Sequence, residues 1–183
     1  QDLNLLNPNT RTCPTFRNKH EADVTKEIYR KVPAWALHQK FQDWPGIPKT
    51  PFNMSNDSAL FASKAELLKN GWSLNEQGHF KKEQSIFLPL YESKFIHQFN
   101  HKYATFAGQD EDDVKQGNAI EMALEDLADP SLGVEPRYWL DSEIQVDRFP
   151  GQWFLVFRDV TNATNERASI AAIIPAYPCS NSL

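Results

Sequence analysis

Two apolar runs, "QWFLVFRDV" and "RASIAAIIP", flank the polar stretch "TNATNE", and together they constrain the fold more than any other part of the chain. Both runs are rich in β-branched and aromatic residues, which fit a pleated, half-buried surface, so the spacing predicts two strands. In the first, Trp153, Leu155 and Phe157 share one face, and Phe154, Val156 and Arg158 share the other. Apolar residues on both sides predict that both faces are covered. The connection carries Thr161, Asn162, Thr164, Asn165, Glu166 and Arg167, far more polarity than a two-residue turn needs. It is either a solvated connection or a surface that makes hydrogen bonds to something outside the chain.

Upstream, Asn18 with Glu21 reads as an N-cap and its box partner, opening a helix over "KHEADVTKEIYRK" that Pro33 stops. From Trp35 to Phe52 four residues, Pro45, Gly46, Pro48 and Pro51, sit among aromatics and predict an extended packed loop. Ser63 with Glu66 forms a second capping box, and Asn70-Gly71 supplies a left-handed stop. "SIFLPLYESKFIHQF" predicts a buried strand over Ile86 to Leu90, then a helical turn with Phe95, Ile96 and Phe99 at helical spacing. Asn118 and Glu121 read as cap and box of a helix that Pro130 closes, and "PRYWL" reads as a short strand. The fold class expected is mixed α+β, a mainly antiparallel sheet with short flanking helices and strands concentrated in the C-terminal half.

With 183 residues, the chain suits a single domain with a genuine core. Its 5 Trp and 12 Phe require an interior or a partner to cover them. No apolar run approaches the roughly 20 residues of a membrane span, so no membrane partner is expected. The net charge of −5 conceals segregation. Residues 110 to 129 hold eight acids against Lys115, a local −7 that leaves +2 over the rest. This acidic stretch, at about 109–130, reads as a helical insertion whose charges face water. Cys13 and Cys179 fit a reduced cytosolic protein at least as well as a disulfide. The N-x-S/T patterns at Asn53, Asn56 and Asn162 leave secretion open.

No nucleophile elbow, phosphate loop, dinucleotide fingerprint or H-E-x-x-H motif occurs, so no catalytic, cofactor-binding or metal residues are assigned. His97 and His101, four apart, would suit a zinc pair on one helical face, but further ligands are unspecified. Glu92-Ser93-Lys94 after a strand, with Asp57 as an upstream carboxylate, is the arrangement of a metal-dependent nuclease. Cations and amides also recur at loop positions. Arg and Lys pair with phosphates, Asn with adenine, and Thr with phosphate or the thymine methyl.

Five stretches in order, "LNPNTRTCPTFRNKHEADVTKEIYRKVP", "FNMSNDSALF", "LPLYESKFIHQFNHKYATF", "PRYWL" and "FRDVTNATNERASIAAIIP", carry a resemblance. The chain resembles the target-recognition region downstream of the catalytic domain in large bacterial restriction-modification and phage-defence adenine-specific DNA methyltransferases. The likeness runs from Leu6 to Pro175 and implies one recognition domain, residues 1–183, from a larger chain. The family's Gly-rich S-adenosylmethionine turn and its Asn/Asp-Pro-Pro-aromatic motif are missing here; Asn7-Pro8-Asn9-Thr10 lacks the second proline and the aromatic. The resemblance therefore implies a non-catalytic module, with S-adenosylmethionine expected only in the parent chain. It implies double-stranded DNA and the catalytic domain as partners, and a bacterial cytoplasmic setting. It makes Lys94, His97, His101, Lys102, Arg158, Thr161, Asn162, Thr164, Asn165 and Arg167 the DNA-contact candidates. The acidic stretch is then expected to lie away from the phosphates. The alternatives are the nuclease module centred on Glu92 and Lys94, and a structural connector that packs on the methylase core.

Overall fold

The computed structural model describes residues 2–7, 11–32, 51–148, 150–162, 164–167 and 169–183. The predicted loop from Trp35 to Phe52 falls almost wholly outside them. The chain divides into two compact units, Gln1–Lys49 and Thr50–Leu183. In the first, α1 (Asp2–Leu6) and α2 (Lys19–Lys31) are helical, and Lys26 reaches Asp2 at 2.8 Å. Asn18 caps α2 by accepting from the Glu21 amide. The Glu21 carboxylate turns back one residue further than a capping box requires, to the Arg17 amide.

The second unit is a mixed α+β fold. In chain order it contains β1 (Ala62–Ser63), α3 (Lys64–Lys69), β2 (Ser73–Leu74), β3 (Phe80–Lys82) and β4 (Ser85–Pro89). Then come β5 (Ala104–Thr105), α4 (Glu111–Gln116), β6 (Ile120–Glu121) and α5 (Leu124–Ala128). Last are β7 (Tyr138–Asp141), α6 (Ser142–Arg148), β8 (Trp153–Phe157) and β9 (Ala171–Pro175). The main sheet is antiparallel, in the order β1-β7-β4-β3-β2, and β5–β6 and β8–β9 form separate two-stranded sheets. Among the described residues four strands lie between residues 62 and 89 and five between 104 and 175, a distribution that does not clearly show strands concentrated in the C-terminal half.

The Ser63–Glu66 capping box forms reciprocally, and α3 stops at Asn70 followed by Gly71 at φ +77°. Elsewhere, tertiary pairing displaced the local signal. The stretch after β4 makes a single 3-10 turn, Ser93–Phe95, in place of a helical segment. Phe95 and Ile96 are buried, while Phe99 sits at φ +62° in a tight turn bridged from His97 to Asn100. The expected helix from Asn118 also gives way. Ile120 and Glu121 pair with Thr105 and Ala104, and α5 starts only at Leu124. The acidic stretch instead opens α4, where Asp110 accepts from the Asp112 and Asp113 amides.

Three apolar clusters fill the unit. Tyr91, Phe95, Ile96, Phe106, Val156 and Ile174 form the largest; Phe52, Leu90 and Leu140 a second; Leu67, Phe80 and Trp139 a third. Each large side chain removed from water contributes roughly 1.5–3 kcal/mol. The indole of Trp139 also donates to the Gly78 carbonyl at 2.7 Å. The β8–β9 ribbon covers only one face. Val156, Ala172 and Ile174 are buried, whereas Trp153, Leu155 and Ile173 are about 60% exposed, so the expected cover on both faces is not present among the described residues. No helix among the described residues is long and apolar enough to cross a membrane. Cys13 is exposed, Cys179 is buried, and both thiols are free.

Candidate functional site

Segment 90–106 leaves the main sheet at Leu90, whose amide donates to Tyr138 O, and threads between the ribbon and the C-terminal residues. Phe95 and Ile96 anchor it in the core, which fixes the outward-facing side chains between them and Thr105. Glu92, only 6% exposed, lies at its start. Arg137, on the approach to β7, donates Nε to one oxygen of that carboxylate at 2.9 Å and Nη2 to the other at 2.6 Å. This bidentate, charge-assisted pairing is the strong form of a guanidinium–carboxylate contact. It raises the Arg137 pKa, chiefly through the hydrogen bond to Glu92 and against the effect of burial.

Lys94 Nζ lies 3.6 Å from Glu92, donates to Gly117 O at 3.0 Å and stands 5.2 Å over the Phe106 ring. Burial is the main influence on its pKa and lowers it, while Glu92 opposes the shift. Gly117 makes this possible. It ends α4 in the left-handed conformation, φ +80°, and a Cβ there would sit 2.8 Å from the Lys94 amine. The same turn brings Asn118 and Glu121 alongside, and Tyr103 donates its hydroxyl to Glu121.

Arg158, the first residue after β8, completes the arrangement. Its amide closes the ribbon ladder on Ile170 O, and its guanidinium donates twice to Ile96 O, at 3.2 and 2.6 Å. Lys94, Tyr103, Gly117, Asn118, Glu121 and Arg158 line one open cleft of about 400 Å³. With Arg137 beside it, three cations face two carboxylates. The expectation that the acidic stretch lies apart from the cations is corrected here, because the β5–β6 pairing draws Glu121 into the same cleft.

The sequence candidates thus divide. Lys94 and Arg158 meet in this cleft, and the His97 ring packs against Tyr103, centroids 4.8 Å apart. His101 lines a different recess, so the turn at 97–100 separates the two imidazoles that helical spacing would have paired. Among the described residues no group of three or more His, Cys, Asp or Glu side chains is gathered as for a metal. Lys102 is 8% exposed, and its ammonium is held by the carbonyls of Asp129 at 2.7 Å and Leu132 at 3.2 Å. It is anchored inside the wall rather than displayed. On the loop, Asn162 folds onto itself: its Oδ1 accepts from the Thr164 amide and its carbonyl from the Asn165 amide. Thr161 and Asn165 are half-buried, while Asn162, Thr164 and Arg167 are exposed.

Tyr103, Gly117, Asn118 and Glu121 were not singled out as site residues by sequence. Their only signal was Asn118 and Glu121 as a capping box, which pointed to a helix. Compared with family models, with curated proteins and with solved structures, the chain matches none.

Proposed function

We propose that this chain is a DNA target-recognition and positioning module of a bacterial adenine-specific DNA methyltransferase, of the restriction-modification or phage-defence type, and that it is not catalytic alone. The observation that carries this reading is the meeting of Lys94 and Arg158, distant in sequence, in one open cleft with Arg137 behind them. Phosphate contacts need cations held in place, and here carbonyls and a buried carboxylate do the holding. The polar loop starts at that cleft, since Arg158 is its first residue, and its exposed Asn162, Thr164 and Arg167 extend the donor surface. S-adenosylmethionine chemistry belongs to a catalytic domain in the parent chain, acting in the bacterial cytoplasm.

The nuclease alternative is weakened by the occupation of both Glu92 oxygens by Arg137. Asp57 is likewise engaged, by the Asn53 amide and by Arg148. The connector reading has one observation in its favour, the exposed apolar face of β8–β9, and is compatible with DNA positioning. A gel shift with random duplex at low salt tests the proposal. Wild type is expected to bind, and Arg158→Ala with Arg167→Ala is expected to lower the log-log salt slope by about one for each lost phosphate contact. No duplex affinity in the wild type, or an unchanged slope in the double variant, would sink it.

A further inference from the structure

The two edges of the β8–β9 ribbon differ. Arg158 donates its amide to Ile170 O, and Ala176 donates to Gln152 O, so the even-numbered residues of β8 bond to β9. By the alternation of an antiparallel ladder, Trp153, Leu155 and Phe157 turn their amides and carbonyls to the other side. Asp159 follows the same parity, since its amide leaves the ribbon for Ser182 O. Among the described residues nothing bonds to the outward amides and carbonyls of Trp153, Leu155 and Phe157. The outer edge of β9 is blocked at both ends. The Ala171 amide donates to the Gln98 side chain and its carbonyl accepts from the Phe99 amide, while Pro175 has no amide and gives its carbonyl to Tyr177.

The open edge of β8 also lacks the devices that keep sheet edges apart, which are charged side chains, prolines and bulges. From Gly151 to Phe157 the chain reads "GQWFLVF", without a charge or a proline, and its register with β9 runs unbroken from Trp153 to Phe157. The residues with outward backbone groups are also exposed, Trp153 and Leu155 at 61% and Phe157 at 37%. With no cation along it, this edge does not suit phosphates. Its alternating donors and acceptors complement another strand.

We propose that this edge pairs with the same edge of a second copy of the chain, antiparallel about a two-fold axis at Leu155, joining two ribbons into one four-stranded sheet. In that register Leu155 faces Leu155 of the second copy, and Trp153 faces Phe157 of the second copy. Each facing pair exchanges two hydrogen bonds, so the outward groups of all three residues are satisfied at once. A register shifted one way would set Phe157 opposite Gly151, and one shifted the other way would need the Asp159 amide, which Ser182 O already holds. No like charges meet, because the paired segment has none. The pairing uses the open edge of both copies and leaves only the blocked edges of β9 outside, so it closes at two. Edge pairing over five residues buries less than the roughly 1,000 Å² of a stable interface, which makes the dimer weak and dependent on concentration. The inference does not depend on the DNA-recognition reading.

The test is sedimentation of the intact chain as it is concentrated, with amide hydrogen exchange on the same samples. The wild type is expected to pass from monomer to dimer and no further, while exchange at Trp153, Leu155 and Phe157 slows. Leu155→Lys and Leu155→Glu each place like charges on the axis and are expected to weaken the dimer about tenfold or more. Because Leu155 is exposed, both variants should keep the wild-type thermal midpoint when dilute. An equimolar mixture of the two is expected to dimerise again, since a residue that faces itself then meets the opposite charge. A monomer at every concentration overturns the inference and leaves the edge to a strand of a different protein. Growth beyond two copies, an unweakened dimer in Leu155→Lys, or a mixture that stays monomeric overturns it as well. A duplex gel shift on the same wild-type preparation reads the cationic cleft separately, so failure of one reading does not imply failure of the other.

Discussion

Residues 101–104 give His101 and Lys102 to one recess and Tyr103 and Ala104 to the other, and the two recesses differ in the number of charges they gather. Around Lys94 and Arg158, three cations face two carboxylates, with the Glu92–Arg137 pair as a buried keystone. Around His101, the Lys102 ammonium is held by two carbonyls and lies near enough to Asp129 to help lower the pKa of that carboxylate. A cationic excess left open to solvent suits the repeated charge of a polymer backbone.

The keystone offers the largest effect. Arg137→Ala leaves the Glu92 carboxylate buried with only Lys94 nearby, and breaking such a pair costs about 3–5 kcal/mol. Urea unfolding at neutral pH should show the midpoint falling by that energy divided by an unchanged slope. A loss below about 1 kcal/mol, the range of exposed pairs, would mean that the cluster is solvated and the contrast between the recesses is false.

Next comes the recess around His101, where the backbone at Gly133 packs against that at Gln77. In Gly133→Ala the new methyl group meets the Gln77 backbone, which cannot move aside as a side-chain tip could. The expected cost is about 1–3 kcal/mol, typical of overpacking, with widening of the recess visible at the His101 and Tyr177 resonances. A Gly133→Ala variant as stable as wild type would show that the walls are loosely apposed.

Gly117→Ala acts on the cationic cleft more gently. Its φ of +80° costs an L-residue about 1–2 kcal/mol, and the 2.8 Å approach to the Lys94 amine is relieved by moving a flexible side chain. Thermal unfolding should register the backbone cost. Duplex affinity should fall at the same time, because the displaced amine no longer sits over Phe106. Lost stability with unaltered duplex affinity would detach Lys94 from DNA binding.

These positions also indicate what local sequence could reveal. Asn18 and the Ser63–Glu66 box were legible because a cap is decided within three residues. The strands at 85–89, 138–141, 153–157 and 171–175 were legible from apolar runs bounded by turn residues. Asn118 and Glu121 misled because a ladder with Ala104 and Thr105, invisible to any short window, competed with the helix. Glu92 and Arg137 lie 45 residues apart, and no periodicity links them. Lys94 and Arg158 were chosen singly as candidates, but the cleft that joins them depends on Gly117 and on Ile96 O, which only the folded chain brings together.

The smallest effect expected separates the recesses by pH. His79 and His101 both line the recess that holds Lys102, and burial is the main cause of the lowered pKa of each; Lys81 adds to the first and Lys102 to the second. The unfolded chain holds these imidazoles at their ordinary value of 6.5, so on acidification it takes up protons before the folded state does. The stability they contribute is therefore complete above that value, declines as pH falls through it, and levels off below the folded values. The lowered carboxylates, Asp57, Glu66 and Asp129, work in a different window: their contribution is lost only as pH falls below the ordinary 3.8 to 4.5. Urea midpoints between pH 7.5 and 5.5 should thus decline in the wild type and flatten when both histidines are replaced by Gln. Midpoints that rise on acidification would mean that the imidazoles gain protons more readily in the folded chain, against the burial that lowers the pKa of each.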